Sequence, residues 1–284
     1  MNNGVVIIAN NSSEIDYIKM SMVSASLAKK NLKAPVSLIT DEISLNSKTS
    51  ADEKNLRQIF DHIIIYENDR SKNYRTLNNK GKTNKVPFLN YNRNKIFDLT
   101  PYDRTLLIDS DFLIFSTALN EYWNVDQSVL ISPCMVNLNG SAGGILDAWI
   151  SPQSSPLFWA TTVMFTKNKE SENFFNLVEH VKQNYKFYSQ LYRFSSQQYR
   201  NDISFSIAFH ILRGFISDPQ TDYFLPPVKT VSDKDEIYSY EDNMLKLFVY
   251  NELNGNYDQI IKIDGNDLHF MNKFELLDKM ELFL

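Results

Sequence analysis

Short apolar runs alternate with longer amphipathic stretches over the first two hundred residues. Gly4 to Asn10 (GVVIIAN) is β-branched and apolar, and predicts a buried first strand. Asn11 with Glu14 three residues on has the form of a capping box, so a helix is expected from there to about Asn31, with Ile15, Ile18, Met22 and Ala25 on one stripe. Pro35 opens a second strand, VSLIT, ending at Asp41. This β-α-β unit implies parallel pairing. A short helix over Asp52 to Phe60 leads to the strand HIIIY, residues 62 to 66. A basic loop follows, then a helix over Pro87 to Asp98. Residues Thr105 to Ser116 (TLLIDSDFLIFS) form the next buried stretch. After it come a short helix to Trp123, a strand SVLIS, the strand LFWATTVMFTK (Leu157 to Lys167) and a helix over Glu170 to Tyr185. A further helix runs from Asn201 to Leu212, followed by the strands KLFVY, QIIKI and DLHF and a last helix from Lys273. Nothing repeats and no linker stands out. The reading is one α/β domain over residues 1–284, with a core over about 4–215 and a C-terminal extension over about 216–284.

Within the central strand, two apolar flanks enclose Asp109-Ser110-Asp111. A sheet core holds two carboxylates only when something compensates them. In extended backbone, residues i and i+2 point to one side, so Asp109 and Asp111 are placed to share one cation. Hard divalent ions take oxygen ligands and bridge carboxylate to phosphate. A strand-end cap or an Asx turn explains an isolated D-x-D equally well. In open α/β sheets, ligands lie at the carboxyl ends of strands. Asn10 and Asp41 sit at two such ends and are candidates for a nucleotide base and ribose, or for caps. No G-x-G-x-x-G follows the first strand and no G-x-x-x-x-G-K-[ST] occurs, so a bound phosphate must be held by a metal and basic side chains.

Charge sharpens this. The chain of 284 residues carries a net −5, yet Arg70 to Lys95 holds eight basic residues and no acid, which leaves −13 for the rest. Such a segment suits an anionic partner, or is a solvated loop. Arg93 and Lys95 lie just upstream of the aspartates, where they hold a pyrophosphate or pair with a carboxylate. Between Gln127 and Thr166 the only charge is Asp147, and Gly140 to Gly144 (GSAGG) form either a loop over a ligand or an irregular turn. Asp202 opens its helix, where an aspartate commonly caps. One cysteine, Cys134, excludes an internal disulfide and a cysteine-based zinc cluster, which fits a cytoplasmic setting. No apolar run is long enough for a signal peptide or a membrane span.

In this order the motifs resemble a GT-A nucleotide-sugar glycosyltransferase, of the glycogenin and bacterial lipopolysaccharide galactosyltransferase-like group. LLIDSD resembles that group's D-x-D strand, WATTVMFTKNKESENFF its F-N-S-G-V-M-x-F segment, RNDISF its D-Q-D-x-L-N segment, and LHFMNK its late H-F-x-G-x-x-K-P-W motif. The resemblance spans roughly residues 4 to 273. It implies a mixed GT-A sheet flanked by helices, with Asp109, Asp111 and His269 binding Mn²⁺ or Mg²⁺. Lys273 would reach the donor diphosphate, Asp202 would orient the donor sugar, and Asn10 and Asp41 would lie near the base and ribose. It further implies a UDP-sugar donor, a hexosyl or pentosyl transfer to a hydroxyl acceptor, and retention of configuration. Arg200 replaces the first aspartate of D-Q-D, and Trp159 to Thr162 replace F-N-S-G, so sugar and acceptor contacts do not transfer. His62, His180 and His210 read as structural or surface histidines. The acceptor is a carbohydrate or, by way of segment 70–95, a hydroxylated base of DNA in a bacteriophage setting. Two other classes compete: a haloacid-dehalogenase-type phosphatase with Asp109 as nucleophile, and a nucleic-acid-binding protein using Tyr74, Phe88 and Tyr91 for stacking.

Overall fold

The computed structural model describes residues 2–284 apart from positions 69, 71–73, 80–81, 139–144, 147, 153, 196–197, 216–223 and 252, and apart from the side chains of 75–79, 82–86 and 145–146. In chain order, β1 (Asn3–Ile8), α1 (Tyr17–Leu32), β2 (Val36–Thr40), α2 (Glu42–Asn46), α3 (Ser50–Ile59) and β3 (His62–Ile65) build the first half of a parallel sheet. A hairpin of β4 (Tyr74–Asn79) and β5 (Lys82–Pro87) precedes a 3-10 turn at Arg93–Lys95 and α4 (Ile96–Leu99). Then come β6 (Arg104–Ile108), β7 (Phe112–Leu113), β8 (Val129–Ser132), β9 (Met135–Asn137), β10 (Ile145–Leu146) and β11 (Trp159–Thr166). Three helices follow: α5 (Lys169–Gln183), α6 (Tyr185–Leu191) and α7 (Asn201–Leu212). The remainder is β12 (Val228–Thr230), β13 (Glu236–Glu241), β14 (Met244–Asn251), β15 (Asn256–Asp264), β16 (Leu268–His269) and α8 (Lys273–Asp278).

The main sheet has the order β3-β2-β1-β6-β11-β8. β1 pairs in parallel with β2 and β6, whereas β11 runs antiparallel to both β6 and β8. This mixed α/β sheet flanked by helices is the fold class expected from the sequence. Alternation along β1 divides two cores. Val5 and Ile7 pack with Ile18, Met22 and Leu56 of α1 and α3, while Val6 and Ile8 pack with Phe174, Phe175 and Phe205 of α5 and α7. Burial on both faces explains why these strands read as continuous apolar runs.

A second sheet, β10-β9-β12-β16-β7, binds the last third of the chain to the middle. The antiparallel meander β13-β14-β15 stands apart as a third sheet. Its first hairpin turns through Asp242 and Asn243, both at positive φ, as a tight two-residue connection requires. Ile237, Leu245, Leu247 and Ile263 face inward, against Met20, Val23 and Leu27 of α1.

Three local expectations are corrected. α1 starts at Tyr17 with Asp16 as its cap, and the Asn11 side chain instead accepts from the Ile18 N–H at 2.9 Å, so there is no Asn11–Glu14 capping box. The true capping box is Thr49–Asp52, at the start of α3. The helix expected over Pro87 to Asp98 is a strand end, a 3-10 turn and one helical turn, because Pro87 closes a hairpin in register with Tyr74. The basic loop is therefore that hairpin. Lys72, Lys80 and the side chains of Arg75, Lys82 and Lys85 lie outside the described residues, as does the Gly140 to Gly144 loop with Asp147.

Candidate metal and donor site

β6 ends at Ile108, and the chain turns at once: the Phe112 N–H donates to the Asp109 carbonyl at 3.1 Å. Asp109 and Asp111 thus lie on a tight turn into β7 rather than on extended strand, and they converge for a different reason from strand alternation. β7 pairs antiparallel with β16, which sets His269 opposite Phe112, and the Phe270 N–H donates to the Asp111 carbonyl at 2.9 Å. That register carries a histidine 158 positions away to the Asp111 side chain, with Nε2 3.2 Å from Oδ1. Asp109, Asp111 and His269 each offer one ligand atom, all within 4.8 Å of one another. The Lys273 ammonium, at the start of α8, contacts Asp111 Oδ2.

Each carboxylate has its own cation. Arg93 is 1% exposed; its Nη1 donates to Asp109 Oδ1 and its Nη2 to the Ala160 carbonyl, both at 2.6 Å. Burial pushes Asp109 upward, helped by the nearby Asp111 charge and opposed by Arg93. Burial acts the same way on Asp111, but Lys273 and His269 outweigh it and hold the carboxyl below the usual range. Burial would lower His269 and Lys273, yet the Asp111 charge raises both. His269 Nδ1 is buried and has no hydrogen-bond partner among the described residues.

Ala160, at the start of β11, is the common anchor. Its carbonyl holds Arg93, and its N–H donates to Asp202 Oδ1 at 2.9 Å. Asp202 is the second residue of α7 and makes no cap bond there; its other oxygen lies 3.5 Å from the Arg200 guanidinium. It is close enough for its charge to act on Asp109. Nothing in the sequence signals Ala160, because both of its contacts are made by backbone.

Asn10 and Asp41 meet at the carboxyl ends of β1 and β2. Asn10 Oδ1 accepts from the Asp41 N–H at 2.9 Å, and its Nδ2 donates to Tyr66 Oη at 2.9 Å and to the Leu89 carbonyl. Asp41 caps α2 through the Ser44 N–H and receives Arg70 on both carboxylate oxygens. Burial pushes Asp41 up, but the Arg70 and Ser44 hydrogen bonds prevail and lower it. A cleft of about 420 Å³ opens beside this pair, lined by Asp41, Ile43, Ile65, Tyr66 and Asn68 among others. Arg70, which the sequence marked only as part of a basic run, is the residue that locks this wall. Lys95, two residues after the buried Arg93, is exposed.

No protein-family model matches the sequence, and no curated protein matches it. Among solved structures, the chain is similar to an active-site mutant of LgtC, at 15% identity over 72% of this chain and 69% of that one, with a TM-score of 0.48. A second LgtC structure, a galactosyltransferase in complex with donor and acceptor sugar analogs, aligns at a TM-score of 0.44 and 15% identity, covering 72% and 70%. Mouse xyloside xylosyltransferase 1 aligns at 9% identity over 76% and 84% of the two chains, with a TM-score of 0.45. The inositol-1-phosphate CTP transferase of T. maritima aligns at 13% identity over 81% and 85%, with a TM-score of 0.39. This is a likeness of general fold to sugar- and nucleotide-transferring proteins, and it carries no reaction over to this chain.

Proposed function

We propose that this chain is a metal-dependent glycosyltransferase of the GT-A type, moving a sugar from a nucleotide-diphosphate donor to a hydroxyl acceptor. The observation that carries the reading is the convergence of Asp109, Asp111 and His269 at the carboxyl end of the central strand β6. Two carboxylates and one imidazole suit a divalent transition ion, and favour Mn²⁺ over Mg²⁺. The site fits such an ion in a second respect: Asp111 and His269 are buried, and His269 Nδ1 has no hydrogen-bond partner among the described residues. When bound, the cation offsets the negative charge that builds on the departing diphosphate.

The chain's own residues divide the remaining work. Arg93 fixes the Asp109 carboxylate, and Lys273 supplies a second positive charge beside the diphosphate. Asp202, held by the Ala160 N–H, orients the donor sugar. The Asn10–Asp41–Arg70 wall and the cleft beside it take the base and ribose. UDP is the donor nucleotide of this reading and retention its stereochemical course, with Asp202 as the carboxylate on the sugar side.

Thermal unfolding with UDP, GDP and CMP, each with and without Mn²⁺, tests this on the native chain and Asp111→Asn. A ligand at 100 times its Kd stabilises by about 2.7 kcal/mol. UDP is expected to raise the melting temperature only with Mn²⁺, and not at all in Asp111→Asn. If no nucleotide stabilises the native chain at millimolar concentration, the donor site is not there.

A further inference from the structure

The meander β13-β14-β15 buries one face and leaves the other without a cover among the described residues. That outer face carries an unbroken row of rings. Tyr238 meets Phe248 at 4.9 Å between centroids, Phe248 meets Tyr257 at 6.4 Å, and Tyr257 meets Tyr250 at 5.4 Å. Tyr238 is 53% exposed, and Ile260, which pairs with Phe248 across the strands, is 47% exposed. Solvent-facing sheet surfaces are ordinarily polar, and a contiguous exposed apolar row marks a contact surface.

Charge on the same face indicates the occupant. Lys246 and Lys262 stand directly opposite each other in the β14–β15 register, and Ser239 lies beyond Lys246 in β13. Neither lysine has an ion pair or a side-chain hydrogen bond among the described residues. Like charges directly opposite are destabilising in a sheet unless an anion lies between them. At the far end of the row, the Lys234 ammonium sits 4.7 Å over the Tyr250 ring.

The row also leads to the site. Asn272, the cap of α8, donates to the Asp235 carbonyl at 2.9 Å, and Asp235 Oδ1 accepts from the Tyr250 N–H at 2.9 Å. The residue after Asn272 is Lys273, which contacts Asp111. The Tyr250–Tyr257 end of the row is thus joined by two hydrogen bonds to the start of the helix that reaches the metal cluster.

We propose that the outer face of this meander binds an anionic glycan chain, with sugar rings stacked on Tyr238, Phe248 and Tyr257 and an acidic substituent held between Lys246 and Lys262. Calling that glycan the acceptor rests on the transferase reading above; the binding itself does not. Aromatic faces suit the C–H faces of sugar rings, and paired lysines suit carboxylate or phosphate. The carboxylates of Glu236, Glu241 and Asp264 on the same face argue against a long polyphosphate backbone, and favour a ligand with spaced charges that fits between the two lysines.

Calorimetric titration of the full chain tests it with four probes: an alginate decasaccharide bearing uronates, a phosphorylated mannan, neutral dextran and oligo-dT. Binding is expected for at least one anionic glycan and not for dextran. It should weaken at least ten-fold in Lys246→Gln/Lys262→Gln and in Tyr238→Ser, and be largely kept in Lys246→Arg/Lys262→Arg. The glutamine pair should leave UDP–Mn²⁺ stabilisation unchanged, which separates failure here from failure of the donor site. The proposal is overturned by absence of binding to both anionic glycans, by equal binding to the glutamine variant, or by tighter binding of oligo-dT than of either glycan.

Discussion

Replacing Arg93 with Met tests how the two aspartates are tolerated. The change keeps the buried aliphatic stem and removes the guanidinium that holds Asp109 and the Ala160 carbonyl. Breaking a buried pair by removing one partner costs about 3–5 kcal/mol. The Asp109 side chain is 25% exposed, and solvent screens part of its charge, so the lower end, about 3 kcal/mol, applies here. An unfolding entropy of about 2.1 cal/mol/K per residue gives roughly 0.6 kcal/mol/K for a chain of this length, and so a fall in Tm of about 5 °C. The decisive comparison is with metal. If Asp109 is a ligand, a bound Mn²⁺ compensates the carboxylate in place of the lost guanidinium, and the gap between native and Arg93→Met should shrink to about half at saturating Mn²⁺. Differential scanning fluorimetry with and without 1–5 mM or so of Mn²⁺ reads both numbers. An equal gap in the two conditions refutes Asp109 as a ligand. No gap in either refutes the claim that Arg93 compensates it.

Two further outcomes follow from packing and burial. A Cβ on Gly4 would lie 2.4–2.5 Å from the ring of buried Tyr102, whose hydroxyl is fixed 2.6 Å from Ser37 Oγ; Gly4→Ala should cost about 1–3 kcal/mol in urea unfolding, and an unchanged midpoint would show that the ring moves freely. Burial lowers the His210 pKa, with a hydrogen bond between the imidazole and the Phe215 backbone opposing, and Nδ1 sits 2.9 Å from Tyr192 Oη. The unfolded state therefore takes up a proton first: stability is complete above about pH 6.5 and falls as pH drops toward the lowered folded value. His210→Gln should flatten the part of the stability profile that falls away below about pH 6.5, and an unaltered slope would mean that burial does not lower His210.

The elements that the sequence revealed are those whose burial is two-sided. GVVIIAN, VSLIT and TLLI read as strands because their apolar residues face α1 and α3 on one side and α5 and α7 on the other. Two strands of the meander were legible as KLFVY and QIIKI, but its first strand, β13, was not. What escaped was decided at a distance. Pro87 carries a helix-start signal, yet its register with Tyr74 makes it a strand end. Asn11 and Glu14 have capping-box spacing, but Asn11 is drawn to Ile18 and Ser44. In the site, D-S-D announced itself as charge within an apolar run. His269, Lys273 and Asp202 were placed by resemblance, because no local pattern brings them to β6. Ala160, which anchors both Arg93 and Asp202, acts through its backbone and leaves no trace in residue identity.

The β7–β16 pairing has a temporal consequence. Synthesis delivers Asp109 and Asp111 long before His269 and Lys273, and 158 positions separate Asp111 from His269. Closing a flexible loop of that size costs about 4–5 kcal/mol by the logarithmic law, before any contact offsets it. Until the late strand docks, two acidic side chains at the end of β6 lack the histidine and one of their two cations. A divalent ion present during folding would therefore act on the order of events as well as on the finished protein: by drawing the late strand to the aspartates, it would speed the last step of assembly.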